Sequence, residues 1–292
     1  MPPAYRDGRR GHHVSRASGA RTMPELPEVE TIRRGLAAAV AGRRITTVAV
    51  HERRLRRPLA DDFAATLAGR RIESVRRRAK YLLVDLDDGA IWLVHLGMTG
   101  TLVVQPAAEP IRTHTHVVAS LDDGRTVRFH DPRRFGLMRV APADRLVELA
   151  ALGPEPLDPA FSPAFLHAIA RRQRRAVKSL LMDQRVVAGL GNIYVNEILF
   201  GAGVRPSRRT SRVTRADAER IVAETGRVLS EAITLRGSSI SDYRDERGEP
   251  GAFQDTFRVY ERAGQPCRRC DGVIRRRVIV GRSSFFCPGC QR

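Results

Sequence analysis

The chain of 292 residues is almost without lysine: Lys80 and Lys178 are the only two among 51 basic residues, and the other 49 are arginines. Arginine stays protonated at ordinary pH, whereas a lysine can give up its proton. Any proton-transfer role for a long basic side chain is thereby narrowed to two positions. Long apolar runs are missing too, and none approaches the roughly 18 residues of a membrane-spanning helix. Residues 1–22 are arginine-rich and acid-poor with no apolar segment, which excludes a secretory signal. They resemble a transit peptide in composition, but the preferred reading is a disordered extension or a miscalled start. Cysteine is confined to four positions between 267 and 290. That argues against an extracellular disulfide scaffold and for a reducing, intracellular setting. No internal repeat is visible.

What is present is positive charge. The formal net charge is +19, which points to a polyanionic partner, with nucleic acid ahead of a membrane surface. The bland alternative is an arginine-rich coding bias with solvated charge. A chain of this length has room for more than one domain.

The texture changes along the sequence. Pro27, Glu28 and Glu30, followed by an alanine-rich run to Val40 and then Gly42, predict a helix with proline and acids in its first turn. Residues 43–140 read as β-rich. Apolar runs flank Asp87-Asp88-Gly89 and again Asp122-Asp123-Gly124, two hairpin signals. A β-sandwich or flattened barrel is expected there. After Gly153-Pro154-Glu155-Pro156 the spacing becomes helical through 163–235. A Gly-, Ser- and Asp-rich stretch over 237–252 predicts a mobile loop, and 264–292 holds the cysteines. The expected domains are therefore 23–150, 151–255 and 256–292, preceded by the extension at 1–22.

Three motifs carry chemistry. Cys267-x-x-Cys270 and Cys287-x-x-Cys290 can place four thiolates around one ion, which suits a closed, structural zinc site. Arg275, Arg276, Arg277 and Arg282 lie between the pairs, on what should be a hairpin able to enter a nucleic-acid groove. Gly189-Leu190-Gly191-Asn192-Ile193-Tyr194 precedes an apolar helix. Its glycines would let backbone approach phosphate, and the helix start would offer free N–H groups; a tight helix–helix turn with no ligand explains the same residues. His130-Asp131-Pro132-Arg133-Arg134-Phe135-Gly136, together with Met98, supplies an arginine, an aromatic and a methionine that could fill a duplex after a base is extruded. Ordinary core packing of Met98 and Phe135 is the alternative.

The segment Met23-Pro24-Glu25-Leu26-Pro27-Glu28-Val29-Glu30 stands apart. With Met23 removed, Pro24 would be an N-terminal secondary amine, able to attack an aldehyde-like carbon and form an iminium. A free α-amino group titrates at about 7.7–8.0, so part of it is nucleophilic near neutrality. With Pro24 inside a peptide bond that chemistry is lost. Pro2 would also be exposed by methionine removal, but no glutamate follows it.

From Met23 to the C-terminus these motifs resemble the bacterial formamidopyrimidine-DNA glycosylase family. The matching pieces are Pro24 to Glu30, Arg78-Ala79-Lys80-Tyr81, His95-Leu96-Gly97-Met98, Asp131 to Gly136, Gly189 to Tyr194 and the four cysteines. The resemblance implies an α+β multidomain protein: an N-terminal β-sandwich, a helix–two-turn–helix domain and a C-terminal four-cysteine zinc finger holding one Zn²⁺. It implies a bifunctional DNA glycosylase and abasic-site lyase that excises oxidised purines from double-stranded DNA, acting as a monomer in the bacterial cytoplasm. Carried over residue by residue, Pro24 is the nucleophile, Glu25 the adjacent acid, Lys80 serves β-elimination and Arg282 δ-elimination. His114, Arg133, Arg174 and Asn192 fall where the family contacts DNA, and Met98, Arg133 and Phe135 match its void-filling residues. Endonuclease VIII-type relatives, which excise oxidised pyrimidines, usually begin Pro-Glu-Gly-Pro rather than Pro24-Glu25-Leu26-Pro27 and tend to lack the full void-filling set. A zinc-bearing DNA-binding protein without catalysis is the remaining reading if the extension is retained.

Overall fold

The computed structural model describes residues 23–239 and 249–292; the 1–22 extension and most of the expected 237–252 loop lie outside the described residues. The first helix, α1, spans Leu26–Val40. Its apolar residues Val29, Ile32, Leu36 and Val40 recur every three or four positions and are buried, the stripe an amphipathic helix presents to a core. Glu25 precedes it, and the Glu28 carboxylate accepts the Glu25 N–H at 2.9 Å, satisfying one donor that the helix start leaves open.

Eight strands and two short helices follow: β1 (Ile45–Val50), α2 (Phe63–Leu67), β2 (Ile72–Arg78), β3 (Tyr81–Leu86), β4 (Ala90–His95), β5 (Thr101–Pro106), β6 (Thr115–Leu121), β7 (Arg125–His130), β8 (Leu137–Pro142) and α3 (Val147–Ala150). They form two four-stranded antiparallel sheets, ordered β1-β6-β7-β5 and β2-β3-β4-β8. The two Asp-Asp-Gly signals are the turns of the β3–β4 and β6–β7 hairpins, with Val84 opposite Trp92 and Ala119 opposite Val127. Gly89 and Gly124 adopt φ of +79° and +81°, which glycine alone reaches without steric cost. Trp92, Phe63, Phe129 and Leu82 share one buried cluster with the apolar stripe of α1, so the sheets and α1 enclose one core.

The second half is helical: α4 (Pro163–Arg171), α5 (Val177–Leu181), α6 (Asn192–Gly201) and α7 (Arg215–Thr234). In α6 every residue from Ile193 to Phe200 is buried, so this helix is the axis of its domain. Two of those residues are polar, and each holds another part of the chain. Asn196 accepts Phe285 N–H at 2.8 Å, and Glu197 accepts Val259 and Tyr260 N–H at 2.9 and 2.8 Å. The last two strands, β9 (Arg275–Ile279) and β10 (Arg282–Phe286), form a hairpin, and Phe285 and Cys287 enter the core around α6.

The halves meet at the β2–β3 turn, Ala79-Lys80. Ala79 sits at φ +53°, an uncommon conformation for a residue with a Cβ. Glu155, from the connection between the halves, holds that turn: its carboxylate accepts from Arg77 Nη1 at 2.7 Å, Arg78 Nη1 at 2.9 Å and Ala79 N at 2.6 Å. Glu155→Ala leaves these donors without their acceptor, and the expected cost is about 1–3 kcal/mol, read by denaturant unfolding. A cost below about 0.5 kcal/mol, the range of an ordinary surface change, would mean the turn holds itself.

Candidate active site

A cavity of about 460 Å³ opens where the β2–β3 turn, the start of α1, the start of α6 and the tip of the β9–β10 hairpin converge. Its size falls within the ~300–1,000 Å³ of pockets that hold a small ligand. Glu25, Lys80, Asn192 and Arg282 line it, as do Met23, Arg56, His95 and Tyr260. The site is thus assembled from residues more than 250 positions apart. Pro24 is buried, and its neighbours Met23 and Glu25 form part of the cavity wall.

Glu25 is nearly inaccessible, and its carboxylate accepts Ile193 N–H at 2.9 Å and Tyr194 N–H at 3.5 Å. The free N–H groups expected at the start of α6 are therefore not all open to phosphate; Glu25 caps the helix from 168 residues away. The glycines before α6 serve the same contact. A Cβ on Gly191 would lie 2.3 Å from the Glu25 carboxyl carbon, and one on Gly189 would lie 2.8 Å from Leu26 Cδ1. Close approach is indeed why glycine stands there, but the partner is the first turn of α1. Asn192, which lines the cavity, keeps its Oδ1 buried without a hydrogen-bond partner.

Burial pushes the Glu25 carboxyl up to about 7, opposed by the positive charge of Lys80. Burial pulls the Lys80 ammonium down, opposed by Glu25 and Glu28. Each group stabilises the other's charge while the surroundings disfavour both, so the two titrate as a coupled pair. Burial also pulls His95 down to about 4. Its neutral ring accepts Gly97 N–H on Nδ1 at 3.0 Å.

Two contributing residues had no assigned place in the site from sequence. Glu28, beyond its bond to Glu25 N–H, accepts the Tyr194 hydroxyl, Ser238 N–H at 2.7 Å and Ser238 Oγ at 3.0 Å. Lys178, the other lysine, is buried in α5 and donates from Nζ to Ser283 O at 2.6 Å and Ser284 Oγ at 2.7 Å. It fixes the strand that begins with Arg282, and burial pulls its ammonium down to about 7. The scarcity of lysine had already singled this position out, without showing what it holds.

The remaining candidates lie outside the cavity. Phe135 is 41% exposed, with the Arg133 guanidinium 4.5 Å from its ring centroid; Met98 is half-buried. Phe135 is therefore not a core residue. The buried Asp131 carboxylate shapes this loop by accepting Gly136 N–H at 2.7 Å and the Thr99 hydroxyl. His114 is exposed at φ +69°, and Arg174 is exposed on the helical half.

The four cysteine sulfurs lie within 4.8 Å of one another, with separations of 3.5, 3.5 and 3.9 Å where they contact. Ligands at ~2.3 Å in a tetrahedron stand about 3.8 Å apart, so Cys267, Cys270, Cys287 and Cys290 fit one zinc ion and no disulfide. Arg269 and Gly272 N–H point at Cys267 and Cys270 Sγ at 3.4 Å, as hydrogen bonds to metal-bound thiolates do.

Comparison with known proteins bears on the whole chain. Residues 23–138 match the formamidopyrimidine-DNA glycosylase N-terminal domain, 152–244 the formamidopyrimidine-DNA glycosylase H2TH domain, and 264–292 a zinc finger found in FPG and IleRS. Formamidopyrimidine-DNA glycosylase of Methylococcus capsulatus is 48% identical over 272 residues, covering 92% of this chain and all of that protein. That of Cereibacter sphaeroides is 49% identical, with the same coverage. The crystal structure of the MutM (Fpg) protein of Thermus thermophilus superposes with a TM-score of 0.83 at 42% identity, covering 92% of this chain and 98% of that one. A Lactococcus lactis Fpg variant in complex with DNA containing Fapy-dG gives 0.86 at 31% identity, covering 92% and 100%.

The raised Glu25 carboxyl makes a prediction with a definite sign. Between the ordinary carboxyl value of 4.5 and about 7, the folded state holds a proton that the unfolded state has released, so stability falls as pH rises through that window. Glu25→Gln removes the titration. The variant should gain stability relative to the parent as pH rises from 4.5 to 7 and hold a constant difference above it. Parallel unfolding curves across that range would show that Glu25 is ionised in the folded protein throughout.

Proposed function

The chain belongs to the formamidopyrimidine-DNA glycosylase family and is a DNA glycosylase, and we propose that it removes oxidised purines and cleaves the resulting abasic strand through the Pro24 amine. The observation that carries this reading is the convergence of the α1 start, Glu25 and Lys80 on one cavity. Relatives crystallised with Fapy-dG-containing DNA and with carbocyclic 8-oxo-G-containing DNA support ring-opened and oxidised guanine as substrates. Duplex DNA is the partner, and the +19 net charge suits binding by phosphate neutralisation, which weakens with salt.

The steps follow from the groups present. The neutral Pro24 nitrogen attacks C1′ of the everted nucleotide. The bond from C1′ to the base breaks, and the base leaves with a proton. That proton comes from the Pro24 nitrogen; Glu25, whose carboxyl burial raises to about 7 so that a share stays protonated near neutrality, protonates the ring oxygen as the C1′–O4′ bond opens. The product is an iminium, which acidifies the C2′ hydrogens and permits loss of the 3′-phosphate. Lys80 exchanges protons in that β-elimination, and Arg282 serves the δ-elimination that then releases the 5′-phosphate. Met98, Arg133 and Phe135 fill the duplex where the base has left, while His114, Arg174 and Asn192 hold the backbone. Zinc supplies no step; it fixes the hairpin that carries Arg282. We propose action as a monomer in the cytoplasm. Among the described residues no helix is long and apolar enough to cross a membrane.

Every step needs a free amine at Pro24, and family similarity begins at residue 23. Protein beginning at Pro24 should release 8-oxoguanine from duplex DNA and nick the strand under single-turnover conditions. Protein verified by mass to retain the preceding residues should bind the same duplex with excision at least about a hundredfold slower, the scale of losing a nucleophile rather than a contact. Equal rates would sink the terminal-amine assignment.

A further inference from the structure

The catalytic cavity lies at the N-terminal end of α6. A second basic concavity lies beyond its C-terminal end, lined by Arg205, Ser207, Arg208, Arg209, Arg212 and Arg292. The ten residues of α6 separate the two by about 15 Å along its axis. No acidic side chain lines this concavity. The neighbouring Asp217 is already committed, accepting from Arg208 at 2.6 Å, Arg220 at 2.5 Å and Thr214 N–H at 3.0 Å.

These arginines are not a loose, solvated run. Their loop is fastened to the helical domain: Val177 N–H donates to Arg208 O at 2.8 Å, Thr210 N–H to Arg175 O at 2.8 Å, and Thr210 Oγ1 to Gln173 O at 2.7 Å. Arg205 is held over the Phe286 ring with its Nε buried and without a hydrogen-bond partner. Arg209 and Arg212 are exposed, and no acid neutralises either among the described residues. Guanidinium groups gathered around one hollow on a fastened backbone suit oxyanions of phosphate geometry. A solvated arginine face has neither the fixed backbone nor the orphaned buried donor.

We propose that this concavity is a second, non-catalytic DNA-binding surface, which takes the phosphodiester backbone of a duplex segment other than the one in the catalytic cleft. Duplex DNA offers one phosphate per ~1.7 Å of axis, and it is the polyanion that catalysis already concentrates around the protein. Two basic surfaces at opposite ends of α6 let the protein keep one segment while it samples another. The proposal does not depend on the chemistry assigned to Pro24.

The test counts bound duplex. Wild type and Arg209→Glu/Arg212→Glu are titrated with a short undamaged duplex at low salt, and stoichiometry is read by sedimentation velocity. Wild type should take up a second equivalent and the variant should not, while the variant's excision from a short damaged duplex stays within about twofold. In wild type the second binding event should weaken as salt rises, with a slope near one unit per phosphate contact. Arg209→Gln/Arg212→Gln also serves for stoichiometry if charge reversal prevents folding, judged by thermal melting. The same stoichiometry for wild type and variant would overturn the proposal. So would poly-glutamate binding that is lost in the variant while duplex stoichiometry stays unchanged, since the surface would then fit an acidic peptide.

Discussion

Everything at the centre of this protein depends on two buried carboxylates at the start of α1. Glu25 caps α6, and Glu28 ties together Glu25 N–H, Tyr194 and Ser238. Between them they join the first turn of the β-sandwich domain to the axis of the helical domain. Buried acids are costly unless they are hydrogen-bonded, and here backbone and hydroxyl donors supply the bonds. Both domains are needed to complete the set. The position of the Pro24-Glu25 segment relative to the cleft is therefore fixed by the same contacts that hold the domains together.

The electrostatics of the cavity follow from that burial. Glu25 is pushed up and Lys80 and Lys178 are pulled down by desolvation before any charge pair is considered. A site made only of arginine and exposed acid could bind DNA but would hold no group that changes protonation near neutrality. The two lysines divide the work. Lys80 faces the cavity on the β2–β3 turn, and Lys178 secures the backbone beside Arg282. Asn196 and Glu197 anchor the rest of the C-terminal segment to α6. The zinc cluster then has a purely mechanical consequence: it keeps the hairpin folded so that its tip reaches a cavity whose other wall is the segment that leads into α1.

Much of this was readable in advance, because the signals were local. The Asp-Asp-Gly turns, the apolar stripe of α1 and the paired Cys-x-x-Cys motifs each specify structure within a few tens of residues. Pro24, Glu25, Lys80, Asn192 and Arg282 were nameable through family resemblance, and the fold brings the last four to one cavity wall. Glu28, Tyr194 and Ser238 were not nameable, since a glutamate in a first helical turn has an adequate local reason to be there. Its contacts lie about 166 and 210 residues away. Gly189 and Gly191 were legible as sites of close approach, but not the identity of what approaches. Asn196 and Glu197 sit in an apolar helix and gave no sign of anchoring the C-terminal segment.

The most direct measurement is the identity of the residue that becomes covalently joined to DNA. Protein beginning at Pro24 is reacted with duplex containing an abasic site, reduced with borohydride and digested, and the peptide carrying the sugar is sequenced by mass spectrometry. The account predicts a single adduct on the nitrogen of Pro24, in the peptide that continues Glu25-Leu26-Pro27. An adduct on Lys80 or Lys178 in otherwise active protein would contradict it, because the iminium would then be formed by one of the two lysines and the architecture around the first turn of α1 would serve binding alone.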